Sequence, residues 1–110
     1  MRSENLAQKD KAYIWHPFTE MSSWLGDSPL IIESGEGAYL KDVEGNQYLD
    51  GVSSLWTNVH GHRNKTIDQA IKKQLDKIAH STLLGLGNVP SIEFAEKLAP
   101  YLPKGLDRIF

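Results

Sequence analysis

Hydrophobic positions fall into short, distinct patterns along this chain. From Asn5 to Trp15 the residues Leu6, Lys9, Asp10, Tyr13 and Ile14 share a weak stripe at helical spacing, which predicts a short helix over 5–15. Pro17 ends it, because the residue before a proline is pushed out of helical backbone. His16 to Met21 and Ser22 to Pro29 therefore read as extended or looped chain, with Trp24 available to pack onto another element. Leu30-Ile31-Ile32 is a brief β-branched run, punctuated by Gly35 and Gly37. Ala38–Lys41 faces Gln47–Asp50 across Asp42–Asn46, and this predicts a hairpin. Asp42 can hydrogen-bond back onto its own turn, and Gly45 can take the positive φ that rejoins a twisted ribbon.

Gly51 to His62 is too polar for a helix and too irregular for a plain strand, so it reads as a loop with a short extended piece. Thr66-Ile67-Asp68-Gln69 has capping-box spacing, and Ile67, Ala70, Ile71, Leu75 and Ile78 then share one face, predicting a helix over 66–79. Ser81 to Val89 is a glycine-containing loop. Pro90 suits a first helical turn, and Ile92, Ala95, Leu98, Ala99 and Leu102 mark a second helix over 90–101, broken by Pro103-Lys104-Gly105. Leu106 to Phe110 reads as a strand that begins and stops, which points to truncation of a longer chain.

Composition narrows the classes. The 110 residues carry 12 basic and 14 acidic side chains and no cysteine, with 40% hydrophobic residues. A chain of this size has room for one modest core. The near-neutral balance with dispersed lysines argues against a nucleic-acid or anionic-membrane partner. The absence of cysteine removes disulfides, thiolate zinc sites and a cysteine nucleophile, and is compatible with a reducing compartment. The polar opening and the lack of a long apolar run carry no signal-peptide or membrane-span pattern, which favours a cytoplasmic protein.

Few side chains advertise chemistry by themselves. His60 and His62 form an H-x-H pair, but no third ligand stands at metal spacing, so both read as hydrogen-bonded loop histidines, and His16 and His80 as structural ones. Gly85-Leu86-Gly87 lacks the third glycine and the strand–turn–helix order of a phosphate loop; its glycines serve either a tight turn or a close approach by a partner or ligand. Ser53-Ser54 has no nucleophile elbow and no ordered base, against a serine hydrolase. Trp15, Phe18, Trp24 and Trp56 all fall in loops or at element ends, where large rings either pack or cover a pocket or interface. Spacing alone leaves a mixed α+β segment, with a free-standing interaction module as one open reading.

Taken together, Tyr13-Ile14-Trp15-His16-Pro17-Phe18-Thr19-Glu20-Met21, Asp50-Gly51-Val52-Ser53-Ser54-Leu55-Trp56 and Val59-His60-Gly61-His62 resemble the amino-terminal portion of class III, fold type I pyridoxal-phosphate aminotransferases. The W-H-P-F-T start and the D-G-x-S-S-x-W run are most similar to the branch of that family that serves biotin biosynthesis. The resemblance implies an N-terminal helix, β-hairpin and two helices of a fold type I α/β transferase, with 1–60 as arm and hairpin of the small domain and 61–110 as the start of the large cofactor-binding domain. It implies a homodimer with Thr82–Asn88 near the interface. It also implies transamination of 8-amino-7-oxononanoate to 7,8-diaminononanoate, with S-adenosylmethionine or lysine as donor, and leaves open another class III enzyme acting on an ω-amino acid or diamine.

By position in the family pattern, Phe18 and Trp56 would line the substrate pocket. Many S-adenosylmethionine users have tyrosine where Phe18 stands and a second tryptophan where Leu55 stands, which opens the donor question. The family's phosphate-binding turn would follow the strand begun at Leu106, and its pyridinium-pairing aspartate, Schiff-base lysine and carboxylate-binding arginine come later. No lysine of this chain matches the Schiff-base motif, so no catalytic or cofactor-binding residue is assigned here, and these residues alone are expected not to transaminate.

Overall fold

The computed structural model describes residues 2–110, which divide into two compact units, one running to Gln69 and one from Ala70 to Phe110. The first unit opens with helix α1, Arg2–Tyr13, which starts earlier and ends sooner than predicted. Tyr13 at its end and Ile14 just after it stay exposed, and polar groups tie the helix down instead. The Lys11 ammonium donates to the Leu25 carbonyl at 2.8 Å, and the Arg2 guanidinium pairs with Glu33 at 2.6 Å.

A second helix, α2 at Met21–Gly26, occupies part of the segment predicted as loop. Six residues are too few to display a period. Glu20 starts it: its carbonyl takes the Trp24 N–H at 3.1 Å, and its carboxylate accepts from the Ser22 and Ser23 hydroxyls.

Three antiparallel strands follow in the order β1 (Ile32–Glu36), β2 (Tyr39–Asp42) and β3 (Gln47–Leu49). The predicted β2–β3 hairpin is present, with Leu40 opposite Tyr48 and the Asp50 N–H on the Ala38 carbonyl at 2.8 Å. The first strand lies later than the Leu30–Ile32 run. It pairs through Gly35, with a bulge between Ile32 and Ser34 that lets β1 keep its partner despite the extra residue.

Asp42 is 4% exposed, and its carboxylate organises the hairpin turn. One oxygen accepts the N–H groups of Glu44 and Asn46 at 2.9 and 2.8 Å; the other accepts the Asn46 amide at 3.0 Å and the Tyr48 hydroxyl at 2.9 Å. Gly45 sits at φ 94°. The Asn46 and Tyr48 hydrogen bonds and the backbone N–H groups outweigh desolvation and bring the Asp42 pKa from 3.8 to about 2, while the anion pushes the Tyr48 hydroxyl up. A carboxylate whose folded pKa is depressed stabilises fully above its unfolded value. That contribution is lost as pH falls through the folded one. In the whole protein, amide exchange at Glu44 and Asn46 is therefore expected to quicken as pH drops from about 3.8 toward about 2, beyond the intrinsic trend, and Asp42→Asn to abolish that pH dependence. A pH-independent ratio to the intrinsic rate in the parent protein would contradict this.

Residues 53–56 depart most from expectation. In place of a loop with an extended piece, Ser53, Ser54, Leu55 and Trp56 form one turn of left-handed helix, with φ values of 50°, 47°, 65° and 68°. The next helix, Lys65–Leu75, is capped by Asn64 rather than Thr66: the Asn64 side-chain oxygen accepts the N–H groups of Thr66 and Ile67 at 3.1 and 3.2 Å. The helix stops at Leu75, short of the predicted 79, because Lys77 and Ile78 both turn back onto the Gln74 carbonyl.

In the second unit the helix Val89–Leu98 begins at Asn88, whose side chain accepts the Ser91 N–H at 3.0 Å, with Pro90 in the first turn as predicted. A short 3₁₀ turn, Ala99–Tyr101, continues it. Residues 106–110 form no strand, and their own unit holds no strand among the described residues that could pair with their backbone groups. Nor is there the expected core: no described hydrophobic residue is buried, and Leu84 stands 89% exposed.

Candidate functional site

The left-handed turn carries Trp56, a residue 80% exposed. For non-glycine residues this backbone costs about 1–2 kcal/mol each, because Cβ crowds the following carbonyl. None of the four is glycine, so the turn persists only if its surroundings impose it. They do so through Asp50, whose side chain is 5% exposed. One carboxylate oxygen accepts the Ser54 N–H at 2.9 Å; the other accepts the Ser54 hydroxyl and His62 Nε2, both at 2.8 Å. These bonds, those from Ser54 foremost, hold the Asp50 carboxyl below the usual range against the opposing effect of burial. The Ser53 N–H adds a bond to the Asp50 carbonyl at 3.1 Å, and the Trp56 N–H one to the Val52 carbonyl at 2.8 Å.

His62 is seated on the sheet. Its backbone exchanges two hydrogen bonds with Gly37, at 3.0 and 2.8 Å. Its ring lies so close to Gly35 that a Cβ there would come within 2.8 Å of the imidazole. Asn58, with its amide oriented by the hydrogen-bond network, donates to the Gly61 carbonyl at 3.0 Å and accepts the His62 backbone N–H at 3.2 Å. His62 is thus the hydrogen-bonded loop histidine expected from the sequence. Ser54, Asp50 and His62 meet, but the carboxylate lies between hydroxyl and imidazole, so it holds both groups and leaves the serine without a base.

Phe18 lies in the turn between α1 and α2 at φ 50° and is fully exposed. Among the described residues no ring contact joins it to Trp56. A second carboxylate braces its segment. Asp10 accepts the Trp24 indole N–H at 2.8 Å and meets His16 Nε2 at 3.0 Å, and the His16 and Trp24 rings lie 4.2 Å apart. Burial raises the Asp10 pKa, but the Trp24 bond and then the His16 bond and charge outweigh it, leaving it below the usual value. Trp24 is therefore half-buried and packed, unlike Trp15, Phe18 and Trp56. Gly85 turns the 81–88 loop at φ 75°, as one of its two readings required.

The class-III aminotransferase family model matches residues 21–110. The chain belongs to the class-III aminotransferase family. It is 58% identical over 109 residues to the adenosylmethionine-8-amino-7-oxononanoate aminotransferase of Nitratidesulfovibrio vulgaris, covering 99% of this chain and 20% of that protein. The crystal structure of the enzyme of that name from Methanocaldococcus jannaschii superposes with a TM-score of 0.91 at 56% identity, over 96% of this chain and 24% of that one. An (S)-enantioselective omega-transaminase from Thermomicrobium roseum superposes at 0.89 with 36% identity and the same coverage. The chain thus spans only about a quarter or less of the length of these relatives. The fold is that of the N-terminal part of class III transaminases, as the motifs implied.

Membership brings pyridoxal phosphate with it. The described residues do not fit its phosphate. The N-terminus of the helix Lys65–Leu75 is closed by Asn64, and that of Val89–Leu98 by Asn88, with Pro90 contributing no N–H. No helix among the described residues is long and apolar enough to cross a membrane.

Sequence alone does not mark Asp50, His62, Asn58 and Asp10 as organisers of the two aromatic segments. The Asp50–Ser54 spacing was a usable signal, since an aspartate readily accepts from backbone N–H groups a few residues on. Nothing in Ser-Ser-Leu-Trp announces left-handed backbone.

Proposed function

We propose that the whole protein is a pyridoxal-phosphate aminotransferase that converts 8-amino-7-oxononanoate to 7,8-diaminononanoate in biotin biosynthesis. The observation that carries this reading is the 58% identity over 99% of the chain to a relative of that name, against 36% for the omega-transaminase of similar fold. In this reading residues 1–60 belong to the small domain and 61–110 to the large one, and Phe18 and Trp56 form a wall of the substrate pocket. An aromatic wall suits a long methylene chain, whose burial is worth roughly 0.8 kcal/mol per CH₂. The residues of this chain bind and orient the acceptor and exclude water. The cofactor, an electron sink for transamination, is held by residues outside this chain.

Adenosylmethionine in the relatives' names supports S-adenosylmethionine as the amino donor of this reading. Lysine is the second donor reading, favoured by Phe18 and Leu55, which replace the tyrosine and tryptophan of many S-adenosylmethionine users. The protein acts in the cytoplasm as a homodimer. Exposed Leu83, Leu84 and Leu86 in the loop 82–88 support an interface there. Complementation tests the reading: the complete gene is expected to rescue a strain that requires 7,8-diaminononanoate, and failure under both donors would overturn it. Product analysis with pyruvate as the competing acceptor separates it from an ω-amino acid aminotransferase.

A further inference from the structure

A turn of four non-glycine residues in left-handed backbone needs an external holder, and the structure contains one. The holder runs from the sheet to the tryptophan through named contacts. Gly35 in β1 leaves room for the His62 ring; Gly37 pins the His62 backbone; His62 meets Asp50; and Asp50 takes both the N–H and the hydroxyl of Ser54. Trp56 follows two residues later, at φ 68°. The sheet is the rigid part, since Asp42 fixes its hairpin turn with four hydrogen bonds to Glu44, Asn46 and Tyr48.

From this chain of contacts we infer that Asp50 is a positioning residue, which with His62 imposes the left-handed turn and so sets the direction in which Trp56 meets the substrate. The inference rests on the reading of Trp56 as pocket wall. It assigns Asp50 no contact with substrate or cofactor and no proton transfer. Two consequences follow from the chemistry of the clasp. An asparagine at 50 keeps the shape but leaves at most one accepting oxygen for donors that now use two. A glycine at 55 adopts left-handed backbone without the Cβ penalty, so it reduces the need for a holder.

The test uses the whole protein with its cofactor. The acceptor the parent enzyme uses best is established first, so inactivity on 8-amino-7-oxononanoate removes that substrate alone and leaves the positioning test intact. On that acceptor, Asp50→Asn is expected to raise KM on the order of 10-fold with kcat changed much less, because misplacing a wall weakens binding of substrate and transition state alike. Adding Leu55→Gly to Asp50→Asn is expected to recover part of the KM. Gly35→Ala, which touches neither Asp50 nor Trp56, is expected to raise KM in the same direction by driving the His62 ring away. Faster amide exchange at Trp56 and Thr57 in Asp50→Asn gives a readout independent of activity, since their N–H groups close the turn. Lower kcat at unchanged KM in both single variants would show a loss of folded enzyme only, and would overturn the inference. So would unchanged KM with unchanged exchange, or a double variant no better than Asp50→Asn.

Discussion

Trp56→Ala in the whole protein is expected to lower kcat/KM for 8-amino-7-oxononanoate by roughly 60-fold. An indole that covers about 100 Å² of a methylene chain contributes ~2.5 kcal/mol at ~25 cal/mol/Å², and each ~1.4 kcal/mol is a factor of ten. The effect should lie mostly in KM, since the wall contacts the chain in ground and transition states alike. Stability should change little, because Trp56 is 80% exposed and makes no side-chain hydrogen bond within the described residues. Trp56→Phe should recover most of the loss. Steady-state kinetics over a range of acceptor concentrations checks this, and a variant within about twofold of the parent would remove Trp56 from the pocket.

The 110 residues expressed by themselves are expected to show no cooperative thermal transition and to bind a hydrophobic dye strongly. Two-state unfolding needs a buried core that is lost all at once, and no described hydrophobic side chain is buried. Each Leu, Ile, Val or Phe left in water forgoes about 1.5–3 kcal/mol, while ordering the backbone costs about 1–2 kcal/mol per residue. The hairpin, with its Asp42 turn, has a dense hydrogen-bond network, but such networks order single turns and do not replace a buried core. Calorimetry of the isolated chain decides the matter. A sharp monomeric transition would favour the free-standing interaction module that spacing alone left open.

What could be read from the sequence follows the range of the forces involved. The β2–β3 hairpin and the helix after Pro90 were legible because their signals are local: Asp42 and Gly45 define a turn, and Pro90 suits a first turn. Helix α2 escaped because six residues show no period. The left-handed turn escaped because Asp50, Ser54 and His62 converge only once the bridge between Gly37 and His62 is formed. The single core was wrongly expected because apolar periodicity reports that a face is to be covered and says nothing of what covers it. Ile67, Ile71 and Leu75 form the predicted helical face, and all are exposed. The family motifs carried the identity further than any local rule, since W-H-P-F-T and D-G-x-S-S-x-W fall on the two segments that Asp10 and Asp50 brace.

Incubation of the purified whole protein, loaded with pyridoxal phosphate, with 8-amino-7-oxononanoate and either S-adenosylmethionine or lysine tests the central claim most directly, with 7,8-diaminononanoate read by mass spectrometry. The account predicts that product with at least one of the two donors, and none when the acceptor is omitted. Turnover of ω-amino acids or diamines with pyruvate, and no 7,8-diaminononanoate from either donor, would contradict it.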